Sequence, residues 1–168
     1  MIEIFKGDIT TLSVDVIVNA ANPQLTPGGG VCGAIHQAAG RKLAMECGRV
    51  LIANGEIPHG EIATTEAYDL RAKKVIHAVG PIYTEQKKEE CELLLHQLYV
   101  FSLLQARILR MQSIAFPMIG AGIYGFPAKE ATRIAVESIR SRAKIELKRI
   151  ILVAFDDMME LNLREAMA

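Results

Sequence analysis

No charge of either sign predominates. The 19 Lys and Arg residues are cancelled by 19 Asp and Glu, which excludes the bulk field that drives non-specific binding to nucleic acid or to an anionic membrane. A negatively charged ligand has to be met locally. Cysteine is scarce and unpaired in pattern. Cys32, Cys47 and Cys91 are odd in number, far apart and in no C-x-x-C pair, which argues against a disulfide framework and against a zinc site. A reducing cytoplasm is the compartment expected. His59, His77 and His96 have no ligand-like spacing to one another, so neither a metal nor another cofactor is expected. No apolar run approaches the length of a membrane span, and Met1 to Lys6 has no basic region followed by an apolar core, so neither an anchor nor a leader is expected. The hydrophobic fraction of 51% is therefore core. A chain of 168 residues is read as one domain over 1–168, large enough to bury a two- or three-layer interior.

What is present begins with one stretch. Val14, Val16, Ile17 and Val18 read as a buried strand, after which Pro23, Pro27 and the run Gly28-Gly29-Gly30 stop regular structure until Val31, Ile35, Ala38 and Ala39 set a helical spacing. A strand, a glycine loop and a helix N-terminus in that order leave backbone N–H groups unshielded beside a positive helix end, which suits phosphate. The other reading is a long structural loop in which glycine only permits positive φ. The theme recurs between Pro117 and Pro127, where Gly120, Ala121, Gly122, Ile123, Tyr124 and Gly125 lie between a strand and a helix that Pro127 is suited to open. Two such loops can face each other. No arginine stands in either.

Around these loops the chain alternates. Ile2, Ile4 and Phe5 make a first strand that ends at Lys6-Gly7-Asp8-Ile9-Thr10, and the strand over 14–19 follows at once. One helix is expected from about Val31 to Ala53, passing a weak point at Gly40 and ending at Asn54-Gly55. Residues 61–66 and 75–79 read as strands, the second apolar and expected at the centre of the sheet. A long helix over 85–110, a strand over 113–116, a helix over about 127–143, a strand over 150–154 and a short closing helix complete the pattern. The alternation predicts an α/β fold: three layers, α/β/α, around a central mixed, largely parallel sheet, mixed because the opening strands are joined without a helix. Ligands of such sheets sit beyond the carboxyl ends of the strands. Asp8, Asn22, both glycine loops and Phe155 all fall there. Asp8 either caps the turn at Gly7 or serves a ligand, and Phe155 either joins the core or covers a flat ligand group.

Two motifs invite other chemistry. Gly28, Gly30 and Gly33 match G-x-G-x-x-G, the dinucleotide fingerprint, but there the first glycine directly follows the strand and an acidic residue ends the next strand about 20 residues on. Here residues 19–27 intervene, and Glu46 lies inside a helix. Cys32 and His36, four residues apart on one helix face, read as a nucleophile and its base, since a cysteine near a helix N-terminus tends to a lowered pKa. The simpler reading is a small cysteine lining a pocket beside a structural histidine, because no third orienting group is evident.

Asn19-Ala20-Ala21-Asn22 followed by Gly28-Gly29-Gly30-Val31, then Ile76-His77-Ala78-Val79-Gly80-Pro81, then Gly122-Ile123-Tyr124-Gly125-Phe126-Pro127 resembles the macro domain family in order and spacing over nearly the whole chain. The resemblance implies an ADP-ribose-binding α/β/α domain. Deacetylase-type members hydrolyse O-acetyl-ADP-ribose and remove mono-ADP-ribose from acidic side chains of proteins, so ADP-ribose, O-acetyl-ADP-ribose and ADP-ribosylated proteins are the partners implied. Carried over by position, Asp8 bonds the adenine amine with the backbone of Ile9 assisting, and Phe155 packs against the base. Gly29, Gly30 and Val31 and the loop of Gly120, Ala121, Gly122, Ile123 and Tyr124 wrap the diphosphate. Asn22, with Ala21 beside it, meets the distal ribose, and Tyr124 closes over that sugar.

Two positions depart from the family pattern. Many hydrolytic members carry an aspartate where this chain has Cys32, which resembles instead the residue found there in some viral replicase macro domains, several of them hydrolytic. Bacterial relatives often have Ser-Thr where this chain has Gly120-Ala121, which removes two hydroxyls but leaves the backbone donors. His36 matches a histidine of deacetylase-type members. With Asn22, Cys32 and His36 as the candidate catalytic set, three readings share one pocket: an ester hydrolase acting at the distal ribose, an ADP-ribose-binding module without turnover, and a phosphatase of ADP-ribose 1″-phosphate.

Overall fold

The computed structural model describes all 168 residues. Strands β1 (Ile2–Lys6), β2 (Val16–Ala21), β3 (Ile62–Glu66), β4 (Lys74–Val79), β5 (Ser113–Phe116) and β6 (Arg149–Ala154) form one sheet in the order β1-β6-β5-β2-β4-β3. Helices α1 (Gly30–Ala39), α2 (Arg41–Asn54), α3 (Lys88–Ile108), α4 (Ala128–Arg140) and α5 (Asp157–Met167) cover its two faces. The alternation of side chains along a strand sorts them. On β2, Val16 and Val18 join the apolar cluster built with α3, α4 and α5, while Ile17 and Ala21 join the one built with α1 and α2. The fold is the three-layer α/β/α arrangement expected. No helix is long and apolar enough to cross a membrane.

The sheet is mixed and largely parallel, though not for the reason the chain order suggests. β1 and β2 do not pair: β1 lies at one edge against β6, and β2 lies between β5 and β4, with all of these pairs parallel. The single antiparallel pair is β3 with β4, at the other edge. β4 is accordingly second from the edge rather than central. Its five buried residues from Val75 to Val79 reflect cover on both faces, which a penultimate strand receives as fully as a middle one.

The helix expected from Val31 to Ala53 is two helices. Gly40 takes φ +87°, its N–H closes α1 on the His36 carbonyl, and its own carbonyl accepts from Leu43 N. A Cβ there would meet Asp69 Oδ2 at 3.0 Å, so glycine is needed for both the backbone angle and the space. A one-turn 3-10 helix at Glu85–Lys87 precedes α3. Pro127 caps α4 from outside, its carbonyl accepting from Ala131 N at 2.8 Å.

Candidate functional site

The strand order brings separate loops into one row. Reading across the carboxyl ends of the parallel strands, β1 delivers Asp8 and Ile9, β6 delivers Phe155, β5 delivers Gly120 to Tyr124, and β2 delivers Asn22 and the glycine run, with Gly80 beyond β4. Three strand spacings separate β1 from β2, about 14 Å at about 4.8 Å each. That is a groove for an elongated ligand rather than a single cavity.

At the β1 end, Asp8 is exposed and opens a 3-10 turn over Ile9–Thr11, where Ile9 is buried. Its Oδ1 accepts from Thr10 N at 2.9 Å and from Thr10 Oγ1 at 2.8 Å. The carboxylate is thus a cap on one oxygen and open on the other. Phe155 is 77% exposed, so it is no part of the core. An apolar ring at a strand end with three-quarters of its surface in water is a surface for a flat group to cover.

The two glycine loops both present backbone donors. Gly28, Gly29 and Gly30 are exposed, and α1 starts at Gly30, so its first N–H groups have no partner within the helix. The loop lies against its own helix: a Cβ on Gly33 would meet the Gly28 carbonyl oxygen at 2.4 Å. Val31 packs at the edge of the α1–α2 cluster, and Ala21 is buried within it. In the second loop Gly120 takes φ +79°, Phe126 N donates back to Gly120 O at 2.9 Å and Gly125 N to Gly122 O at 3.0 Å. Ala121 N is spent on Met118 O at 3.3 Å, while the N–H groups of Gly122, Ile123 and Tyr124 have no backbone partner. Ile123 is 98% exposed, which makes this loop the rim of the groove.

Tyr124 is held from behind. Its carbonyl accepts from Tyr83 N at 2.9 Å, and its ring meets His59 edge-on at 5.7 Å. His59 is fixed in turn by Nδ1 donating to Gly80 O at 2.6 Å. Sequence spacing gave no signal for His59, because what places it is the end of β4, 21 residues away. Burial first, and the nearby Cys32 second, push the Tyr124 hydroxyl above its ordinary range.

Asn22 is not free-standing. Thr26 N donates to its Oδ1 at 3.0 Å, and its Nδ2 donates to Thr26 O at 3.0 Å and reaches Thr26 Oγ1 at 3.1 Å. Thr26 Oγ1 also lies 3.3 Å from Oδ1, so the amide holds the loop in shape with both its polar atoms engaged, and a further donor to Oδ1 takes the place of that longer contact. Cys32, 7% exposed, donates to the same Thr26 carbonyl at 3.6 Å and accepts from Asn19 Nδ2 at 3.6 Å. His36 makes no bond to it: both ring nitrogens are buried without a partner, and burial lowers its pKa. The nucleophile–base pairing suggested by their spacing is absent, and a group of three His, Cys, Asp or Glu able to hold a metal ion is absent too. Thr26 and Asn19 organise Asn22 and Cys32 through contacts between separate segments, which sequence spacing does not announce.

A family model described as Macro domain matches residues 18–135. The chain belongs to the macro domain family. This macro domain is 47% identical over 157 residues to an O-acetyl-ADP-ribose deacetylase of Klebsiella pneumoniae, covering 92% of this chain and 89% of that one. It is 48% identical over 160 residues to a macro domain-containing protein of Listeria monocytogenes, covering 93% and 90%. Among solved structures it superposes on the Oceanobacillus iheyensis macrodomain with ADP at a TM-score of 0.94 and 36% identity, over 99% of this chain and 89% of that one. The Trypanosoma brucei macrodomain in complex with ADP-ribose matches at a TM-score of 0.90 and 32% identity, over 99% and 69%.

Proposed function

We propose that this macro domain, acting as one unit over 1–168, binds ADP-ribose along the carboxyl edge of its sheet and hydrolyses an ester on the distal ribose. The observation that carries the reading is the order of groups along that edge. A carboxylate and an exposed aromatic ring come first, two donor loops next, and the Asn22–Tyr124 corner last, the order of adenine, diphosphate and sugar in the ligand. Asp8 accepts from the adenine amine with the Ile9 backbone assisting, and Phe155 covers the base. Backbone N–H groups of Gly29, Gly30 and Val31 and of Gly120, Gly122, Ile123 and Tyr124 face the diphosphate, with Ala121 shaping the loop between them, which suits loops that carry no arginine.

At the distal ribose, with Ala21 behind it, Asn22 Oδ1 accepts from a sugar hydroxyl and Tyr124 closes over the ring. Water adds to the acyl carbon, the acyl–oxygen bond breaks, and the ribose oxygen leaves with a proton from that water. Cys32 lines this end and His36 packs beneath it, neither attacking the substrate. The substrate's own phosphate helps position the water. The name of the Klebsiella relative supports O-acetyl-ADP-ribose as one substrate, and proteins bearing mono-ADP-ribose on acidic side chains form the second class. Three free cysteines suit a reducing cytoplasm. Incubation with O-acetyl-ADP-ribose and with an ADP-ribosylated acidic protein is expected to release acetate and free ADP-ribose. Binding without release of either product favours the second reading, a recognition module, whose support is the thiol standing at position 32 in place of a carboxylate. Phosphate released from ADP-ribose 1″-phosphate, with both esters untouched, overturns both readings.

A further inference from the structure

A chain of polar groups is buried beneath the distal end of the groove, and its sense follows link by link. Asn19 on β2 and its register partner His77 on β4 both face the α1–α2 layer, and both are wholly inaccessible. Thr65 Oγ1 donates to the Glu66 carbonyl at 3.0 Å, so at 2.9 Å it accepts from His77 Nε2. That puts the ring proton on Nε2, which also faces Cys47 Sγ at 3.8 Å, and a lone pair on Nδ1. Asn19 Nδ2, 3.1 Å from Nδ1, is therefore a donor to it, and the same nitrogen donates to Cys32 Sγ. The thiol passes the sense on to Thr26 O, the carbonyl that Asn22 Nδ2 also meets. Turning the Asn19 amide over would set its oxygen against the lone pair on His77 Nδ1, so one orientation survives.

The arrangement leaves Asn19 Oδ1 buried without a partner. An unsatisfied buried carbonyl is unfavourable, and a leucine in the same place would remove it only by leaving His77 Nδ1 without its donor. Satisfying His77 is a reason for one of the amide's two bonds but not for the other, to Cys32. The reason lies at the far end of the chain of bonds.

We propose that Asn19 is a positioning residue for the reaction at the distal ribose: its amide holds the Cys32 thiol against the Thr26 carbonyl and so fixes the Asn22 amide that meets the sugar. This rests on the reading of the site given above, and the tests separate the two. Long-range proton–nitrogen correlation on the intact protein is expected to find His77 neutral with the proton on Nε2. A proton on Nδ1 overturns the proposal, since Asn19 could not then donate. Asn19→Leu is expected to lower kcat on the ester about tenfold, to leave the Kd of ADP-ribose within about twofold, and to shift the side-chain amide resonances of Asn22. Equal losses in kcat and binding overturn it. An amide at position 32 both accepts and donates with about the reach of the longer thiol contacts. Cys32→Asn is thus expected to keep kcat within about twofold, Cys32→Ala to lose several-fold, and Asn19→Leu with Cys32→Ala to fall no further than the worse single variant. Should Asn19→Leu not fold, equal rates for Cys32→Asn and Cys32→Ala overturn the proposal. If the wild type turns over no ester, the reading of the site fails instead. The chain of bonds is then judged by the His77 tautomer and by the Asn22 amide resonances, which Cys32→Ala is expected to move and Cys32→Asn to leave.

Discussion

Asp8 gives one oxygen to the fold and leaves the other open for the proposed ligand, and two substitutions separate the two roles. We predict that Asp8→Asn keeps the cap on Thr10, because an amide oxygen still accepts there, yet loses a charged partner for the adenine amine. Affinity for ADP-ribose should fall on the order of tenfold to a hundredfold. Asp8→Ala should lose that affinity and lower the melting temperature as well. Calorimetry that finds either variant binding like the wild type puts the adenine elsewhere. The residues we propose to meet a ligand, Asp8, Asn22 and Tyr124, are legible in a sequence because their chemistry travels with their motif. Phe155 is half legible: its aromatic character is plain, but its 77% exposure depends on where β6 stops relative to its neighbours. Asn19 and Thr26 are not legible as a pair with Cys32, since the contacts that define them come from a strand and a loop meeting a helix. Their bonds also decide how Cys32 behaves. A thiol that donates to Thr26 O is a poor nucleophile, so Cys32→Ala should retain ADP-ribose binding and at least about a tenth of turnover, whereas Asn22→Ala should lose far more. Rates of the two variants on one ester substrate check this, and a dead Cys32→Ala beside an active Asn22→Ala contradicts it.

The loops matter as elements because each is tied down on one side and open on the other. At Gly122 no neighbour lies where a Cβ would stand, and its backbone angle suits any residue. Gly122→Glu should therefore fold and yet fail to bind ADP-ribose, because a carboxylate enters the site we propose for two phosphates. A folded variant that binds normally would remove this loop from the diphosphate site. Gly33 is the opposite case. A methyl group there runs into the Gly28 carbonyl at 2.4 Å, so Gly33→Ala should push the first loop off α1, weakening binding and lowering the melting temperature together. Both loops are readable as glycine runs between a strand and a helix, and they are the elements where pattern serves best. The break at Gly40 is harder to read. Apolar spacing continues through it from Ala39 to Leu43, and what only glycine allows there is φ +87° with Asp69, from the segment between β3 and β4, close against it.

At the scale of the whole molecule, strand order converts scattered loops into one groove, and it is the feature that periodicity hides most completely. Nothing local in Ile2 to Lys6 says that it pairs with the last strand rather than the next. The same order stacks β3, β4 and β2 so that Thr65, His77 and Asn19 meet inside the α1–α2 layer, and this buried polar seam couples the fold to pH. Burial pushes His77 down to about 3 and lowers His36 as well. In the unfolded chain both titrate near about 6.5, so below that pH the unfolded state binds more protons than the folded one. The stability held by neutral histidines is complete above about 6.5 and is lost as pH falls toward the folded values. For His77 alone the slope is about 1.4 kcal/mol per pH unit once its unfolded form is fully protonated. The carboxylates held low by their partners, Glu3 by Arg149, Glu130 by Arg133 and Asp157 by Lys6, add to the loss only nearer the ordinary carboxylate range of about 4. Urea unfolding between pH 7.5 and 5 therefore isolates the histidines. We predict a free energy of unfolding that is level above about pH 7 and falls with a steepening slope below about 6, reaching about 1.4 kcal/mol per unit from His77, with His36 adding in the same direction. A profile that stays level down to pH 5 would mean that His77 accepts a proton inside the fold, and a charged ring there would turn its Nδ1–H against the Asn19 amide and break the seam at its middle.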